Sequence, residues 1–177
     1  PTGEIVSRTL AHTEGIRHRT AHIWIVRREN EHFQVLMQKR AMSKDSFPGK
    51  YDTSSAGHIQ AGDEPLASGL RELAEELGIH AKPEDLAFAG CIHGNFAEEF
   101  HGKIFRDNEI AFVYVYQQPV DIETLVLQKE EVESVRWFDL EETYHACVQN
   151  DPAFCVPLGG FKLIVEYVNQ NTEKNKI

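Results

Sequence analysis

Three glutamates carry the strongest chemical signal in the chain. Glu72, Glu75 and Glu76 stand at i, i+3 and i+4 of a helical pattern, so their carboxylates share one face within about a turn. Like charges at that spacing destabilise an isolated helix by roughly 0.2–0.5 kcal/mol per pair. A hard divalent cation reverses the sign. Mg²⁺ takes oxygen ligands, keeps several waters and sits between carboxylates and substrate phosphates. The face is therefore suited to hold Mg²⁺, or Mn²⁺, against an anionic substrate. A solvated acidic surface is the other reading of such a face, and the flanking residues decide between them.

Charge over the whole chain bears on the choice. The 177 residues carry a net charge of −10. A chain this acidic is not steered to a nucleic acid polymer by its field, and an anionic substrate needs a bridging cation. Three cysteines, Cys91, Cys147 and Cys155, form no CxxC pair. Neither a disulfide framework nor a zinc knuckle is indicated, and a reducing, cytoplasmic compartment is expected. No apolar run approaches the ~18–20 residues of a membrane span, so no membrane is expected as a partner. No signal peptide opens the chain. It begins at Pro1 rather than methionine, which leaves open a start upstream and a missing initial strand.

The stretch "GHIQAGDEPLASGLRELAEELGI", residues 57–79, closely resembles the Nudix box, G-x5-E-x7-R-E-U-x-E-E-x-G-U with U a bulky aliphatic residue. Gly57, Arg71, Glu72, Leu73, Glu75, Glu76, Gly78 and Ile79 fall in register. The one departure is Asp63 where the family has Glu. The resemblance implies an α+β fold, a Nudix-type α/β/α sandwich with a mixed sheet and a loop–helix–loop catalytic motif. It implies a pyrophosphohydrolase acting on acid anhydrides in phosphorus-containing compounds, with Mg²⁺ or Mn²⁺ as cofactor. By position, Gly57 (through its carbonyl), Glu72, Glu75 and Glu76 would hold the metal. Arg71 would orient acidic side chains, with Asp63 as its shortened partner. Metal ions can polarise a diphosphate and acidify a water, and a carboxylate can take the proton. Glu75 and Glu76 are the first candidates for that base, Glu130 and Glu131 the second.

The likeness extends past the box. "HRTAHIWIV", "VLMQKRAMSKDSFPGKYDTSSAGH" and "DNEIAFVYVY" resemble the isopentenyl-diphosphate isomerase branch of the superfamily, and with the box cover roughly residues 10–140. Isomerases have Cys-Gly-His where this chain has Ala56-Gly57-His58. An Ala methyl cannot move a proton, and isomerases have a degenerate box. Both differences point to a hydrolase on an isomerase-like scaffold. The branch also implies a second metal site: His58 and Glu109 match directly, His18 fits, His12 fits with a one-residue gap, and Asp107 stands where a second Glu would be. Imidazole with carboxylate suits Mn²⁺ or Zn²⁺. The alternative is that these histidines line a pocket and hydrogen-bond phosphate or backbone.

Arg17, Arg19, Lys39, Arg40 and Lys44 are the candidate phosphate contacts, because Arg offers a planar fork and Lys a mobile point charge. Each has ordinary solvated surface as its alternative. Phe47, Phe96, Phe100 and Phe105 lie in or beside loops, suited to stack on a base or cover an isoprenoid chain. Trp24 and Trp137 read as core, and His93, His101 and Cys91 as surface or packing.

These residues need elements to hold them. Periodicity predicts strands over 20–28, 33–40, 52–56, 86–96, 109–117 and 132–140, with a helix starting at "DLEET". The clearest helix is 64–77, with Asp63 as N-cap, Pro65 in the first turn, Gly78 as C′ residue and a stripe of Leu66, Leu70, Leu73 and Leu77. A last helix is expected over about 160–170. Residues 1–18 read as irregular, and 41–51 as a loop turning at Pro48-Gly49. One domain is expected over 1–170, with a polar tail at 171–177.

The leading expectation is a metal-dependent hydrolase of the diphosphate bond in a nucleoside diphosphate derivative or related small molecule. Isopentenyl-diphosphate isomerase is the alternative that Ala56 disfavours. A non-catalytic sensor with the same fold is another, against which the intact Arg71, Glu72, Glu75 and Glu76 set argues. The family is often homodimeric, and a homodimer stays open.

Overall fold

The computed structural model describes residues 3–174. Seven strands form one mixed sheet: β1 (His18–Glu29), β2 (His32–Arg40), β3 (Tyr51–Asp52), β4 (Ser55–His58), β5 (Leu86–Phe100), β6 (Lys103–Tyr116) and β7 (Val132–Asp139). Four helices accompany them: α1 (Arg8–Glu14), α2 (Pro65–Leu77), α3 (Leu140–Val148) and α4 (Leu158–Lys174).

Strand β1 organises the site. One edge pairs parallel with β6, placing His18 opposite Glu109. The other edge pairs antiparallel with β4, Thr20 opposite His58 and Ala21 opposite Gly57, and farther along with β2. Period-2 alternation divides its side chains between two faces. Ala21, Ile23 and Ile25 join Leu73 and Leu77 of α2 in one core cluster. Trp24 and Val26 join Phe161, Ile164 and Val168 of α4 in the other. The sheet is thus sandwiched, α2 on one face and α3 with α4 on the opposite one, as the mixed α/β/α expectation required.

The helix α2 forms where the leucine stripe predicts. Its N-terminus differs: Glu64 is the N-cap and makes no side-chain cap bond, with Pro65 at the first helical position. Asp63 instead closes a turn, its N–H donating to the Gln60 carbonyl at 3.0 Å. Gly78 ends the helix in the left-handed region, its N–H reaching the Ala74 and Leu73 carbonyls.

Three other expectations are corrected. The segment read as irregular, 1–18, contains α1, bounded by Ser7, whose hydroxyl accepts the Leu10 N–H, and by Gly15 at φ 69°. Strands β5 and β6 run on past 96 and begin before 109, joined into one long hairpin. Its turn places His101 at φ 52° and Gly102 at φ 75°, the two positive φ values of a type I′ connection. The polar tail is helical as far as Lys174; its last three residues lie outside the described ones. Among the described residues no helix is long and apolar enough to cross a membrane.

Candidate active site

A cleft of about 950 Å³ opens where β4, α2, α1, the β5–β6 hairpin and two loops, 41–50 and 117–131, meet. Glu72, Glu75 and Glu76 line one side of it. Glu76 is only 5% exposed. Its Oε2 accepts from the Gln38 amide and from the Ala56 N–H, each at 3.3 Å. Burial drives its pKa up to about 8, with Glu72 and Glu131 adding repulsion. Glu72 is also pushed up by burial, against the pull of Arg71. Arg71 donates to Glu72 Oε1 at 2.9 Å, to Glu75 Oε2 at 3.3 Å and to the His58 carbonyl at 3.2 Å. It thus pairs with two of the acidic side chains and not with Asp63. Asp63 instead gives its carbonyl to Arg19 at 3.2 Å.

Gly57 has a steric reason to be glycine. A Cβ there would overlap the Glu72 carboxyl group. The helix can therefore lower its first carboxylate onto the β4 backbone only where β4 has no side chain. Glu76 is buried and Glu72 partly so, while Glu75 is exposed; a buried carboxylate is costly unless it is neutralised or a cation sits with it, and an oxygen donor set of this kind fits Mg²⁺.

A second cluster forms on the other face of β1. His12 from α1, His18 from β1 and His58 from β4 bring ring nitrogens within 4.8 Å of one another, and a ring nitrogen of His18 lies equally close to carboxylate oxygens of Asp107 and Glu109. Nδ1 of His12 meets the Arg106 carbonyl at 3.1 Å, and Nδ1 of His18 meets the Ile16 carbonyl at 3.0 Å. This turns each Nε2 toward the cluster, where His12 Nε2 meets His58 Nε2 at 3.0 Å and His18 Nε2 lies 3.4 Å from Asp107 Oδ1, the arrangement by which ligand histidines are usually oriented. His18 Nε2 and Asp107 Oδ1 are buried without a hydrogen-bond partner. Burial lowers His12 to about 4 and His58 to about 3, so both are neutral. Asp107 is raised to about 6 by burial and by Glu109. Burial opposes ionisation of Glu109 too, but His22 and the Thr20 hydroxyl, 2.9 Å away, override it and hold Glu109 near 2. Gly94 leaves the room: a Cβ there would lie 3.0 Å from Glu109 Cγ. Neutral imidazoles, an ionised carboxylate and orphaned donor atoms fit a divalent ion.

The predicted cations divide. Arg40 and Lys44 line the cleft; Arg19 and Lys39 do not. Lys39 pairs with Glu133 at 3.0 Å, and Arg17 donates to Asn108 at 3.2 Å. Arg40 is clasped by Asp52 at 2.9 Å and by the Ser46 carbonyl. Lys44 pairs with Glu131. Arg8 of α1 also reaches the cleft, a residue hidden by the reading of 1–18 as irregular; Ser7 and Gly15 were the signals that bounded its helix. Gln38 and His22 were missed as well. Phe47, Phe96 and Phe105 line the mouth, and Phe100 packs edge-on to Phe47 with ring centres 4.7 Å apart. Trp24 is fully buried.

Comparison with known proteins matches the NUDIX domain model over residues 16–154. The chain belongs to the Nudix family. An uncharacterized Nudix hydrolase of Clostridium acetobutylicum is 41% identical over 136 residues, 77% of this chain and 64% of that one. Nudix hydrolase 3 of Arabidopsis thaliana is 37% identical over 98% of this chain but only 22% of its own length. This Nudix chain therefore spans less than two thirds of both relatives. Among solved structures, the NUDIX domain of Shewanella oneidensis NrtR, complexed with ADP ribose, aligns with TM-score 0.61 over 93% of this chain and 99% of that one at 14% identity. A Caenorhabditis elegans Ap4A hydrolase aligns with TM-score 0.56 over 86% and 98% at 19% identity. At those identities the likeness is one of fold.

Proposed function

We propose that this Nudix chain is a metal-dependent hydrolase of a diphosphate bond in a nucleoside diphosphate derivative or related small molecule. One observation carries the reading: Glu72, Glu75 and Glu76, with Arg71, line the same cleft as Arg40 and Lys44. That is a metal-holding wall and a phosphate-holding rim in one space. Glu72, Glu75, Glu76 and the Gly57 carbonyl would hold Mg²⁺ or Mn²⁺, which polarises phosphoryl oxygens and acidifies water when bound. Arg71 keeps two of the carboxylates aimed. Lys44 and Arg40 would position the phosphates, and the Phe47, Phe96 and Phe105 rim would receive the rest of the substrate. His12, His18, His58, Asp107 and Glu109 would hold a second divalent ion.

An isomerase would need a thiol beside Gly57, where Ala56 stands. The thiol that does line the cleft, Cys155, donates to the Tyr51 carbonyl at 3.4 Å, and burial pushes its pKa upward. It is unsuited to proton transfer.

The test is a panel of ADP-ribose, diadenosine tetraphosphate and isopentenyl diphosphate, followed by ³¹P NMR with Mg²⁺ or Mn²⁺. Cleavage of a phosphoanhydride in one of them supports the reading. Conversion of isopentenyl diphosphate to its isomer without phosphate loss would replace hydrolase by isomerase. Metal-dependent binding without any turnover would make the chain a sensor.

A further inference from the structure

Strand β1 places His18, Thr20 and His22 at i, i+2 and i+4, and period-2 alternation turns all three to one face. The first belongs to the histidine cluster. The other two both meet a carboxylate of that cluster. Thr20 Oγ1 donates to Glu109 Oε2 at 2.9 Å, and His22 Nε2 lies 3.6 Å from Glu109 Oε1. Each oxygen of Glu109 thus has its own neighbour on β1. Register makes the reach possible. Glu109 stands opposite His18, Ala111 opposite Thr20 and Val113 opposite His22. The Glu109 side chain therefore leans along the strand, past a residue that ends at Cβ. On its other side Gly94 stands opposite Glu109, where a Cβ would lie 3.0 Å from Glu109 Cγ and 3.2 Å from Oε1.

Packing alone does not account for His22. The residue is buried, and its Nδ1 has no hydrogen-bond partner. An apolar side chain would fill that space without leaving a polar atom unsatisfied. What the imidazole supplies and a leucine cannot is Nε2, beside Glu109. Thr20 is buried as well; valine would match its shape but not its hydroxyl. Asp107 makes the contrast within the same cluster. Its Oδ1 is buried without a hydrogen-bond partner, whereas both oxygens of Glu109 are engaged.

We propose that His22 and Thr20 are positioning residues for the histidine-cluster metal site, and that together they lock the Glu109 carboxylate in the orientation that receives the ion. The proposal rests on the reading of that cluster as a metal site. A ligating carboxylate that is itself hydrogen-bonded has its orientation settled before the ion arrives, and loss of such a partner typically costs 10–100-fold in metal affinity. One strand then supplies a ligand, His18, and the two residues that aim a second ligand on its neighbour. In this role His22 and Thr20 act only through Glu109. Among the described residues neither side chain meets a carboxylate of α2, so the effect is confined to the cluster.

The experiment titrates Mn²⁺ into the full chain under electron paramagnetic resonance, the cluster's ion being the one that His18→Ala loses. His22→Leu and Thr20→Val should each weaken that ion by about 10–100-fold and leave the α2 ion unchanged. His22→Gln, whose amide N–H can replace that of Nε2, and Thr20→Ser, which keeps the hydroxyl, should recover most of the affinity. In a Glu109→Gln background His22→Leu should add no further loss, because its route to the ion is already gone. Circular dichroism checks the fold of each variant. His32→Gln, whose exposed ring faces Asp139 outside the cleft, should bind as wild type does. Unchanged Mn²⁺ affinity in His22→Leu or in Thr20→Val overturns the proposal. So does an equal loss at both ions, which would mark a general disturbance, and so does a further loss in the Glu109→Gln background. A wild type that binds no ion at the cluster removes the metal reading and this inference with it. A wild type that binds the ion but is indifferent to His22 and Thr20 removes the inference alone.

Discussion

A carboxylate as buried as Glu76 writes a pH dependence into the metal-free protein. Its folded pKa is about 8, well above the ~4.3 of a free glutamate. Between those values the folded state keeps the proton and the unfolded state has released it. The unfolded state then binds fewer protons, so stability falls as pH rises through that window. The melting temperature in EDTA should drop from pH 5 to pH 8, Glu76→Gln should flatten the drop, and Mg²⁺ at pH 8 should reverse it in wild type only. Gly57→Ala makes a second case, because its methyl displaces the Glu72 carboxyl group. Under the proposed reading, losing the position of the Glu72 carboxylate should cost roughly 10²-fold in kcat, since misplacement of about 1 Å has that effect; steady-state rates with the fold checked by circular dichroism measure it. At this scale the shared face of the glutamates was readable from spacing, while Arg71 and Gly57 were readable only through the resemblance to the Nudix box. Lys39 was not, because neighbouring strand residues point to opposite faces. Gln38 faces Glu76 while Lys39 turns to Glu133, and a register one residue different would have exchanged them.

Elements decide what the spacing cannot. The histidine cluster exists because β1 pairs with β6 on one edge and β4 on the other, placing Glu109 and His58 beside the same few residues. These residues come from positions as far apart as 12 and 109, a distance no local pattern spans. Mn²⁺ titration followed by electron paramagnetic resonance should find two ions per chain, with His18→Ala binding one and keeping the site on α2. A single ion in wild type would reduce the cluster to a hydrogen-bonded pocket wall. The leucine stripe of α2 was legible because one helix face meets one core. The hairpin tip was not, because residues 97–104 are largely exposed and lack the alternation that burial imposes. Only the His101-Gly102 turn marked it. Asp63 reads as an N-cap by type, yet Gly62 at φ 93° turns the chain one residue early and leaves Glu64 in the cap position.

Across the whole molecule, the core packed against α4 stands apart from the glutamates of α2. Phe161 is fully buried against Trp24, ring centres 4.8 Å apart, in the cluster facing α4, while α2 and its glutamates pack on the opposite face. Phe161→Ala should cost about 3–5 kcal/mol, lowering the melting temperature by roughly 10 °C in a chain of this size. The rate per folded molecule should hold, as active-site titration against kcat would check. The net charge of −10 is the other global property; under the proposed reading a cation in the cleft would offset it for an anionic substrate. The measurement closest to the central claim is turnover of the best panel diphosphate by wild type and Glu75→Gln, each in Mg²⁺ and in EDTA. The account predicts phosphoanhydride cleavage by wild type in Mg²⁺ and its loss in the other three conditions. Equal turnover in Mg²⁺ and EDTA, or undiminished turnover by Glu75→Gln, would contradict it.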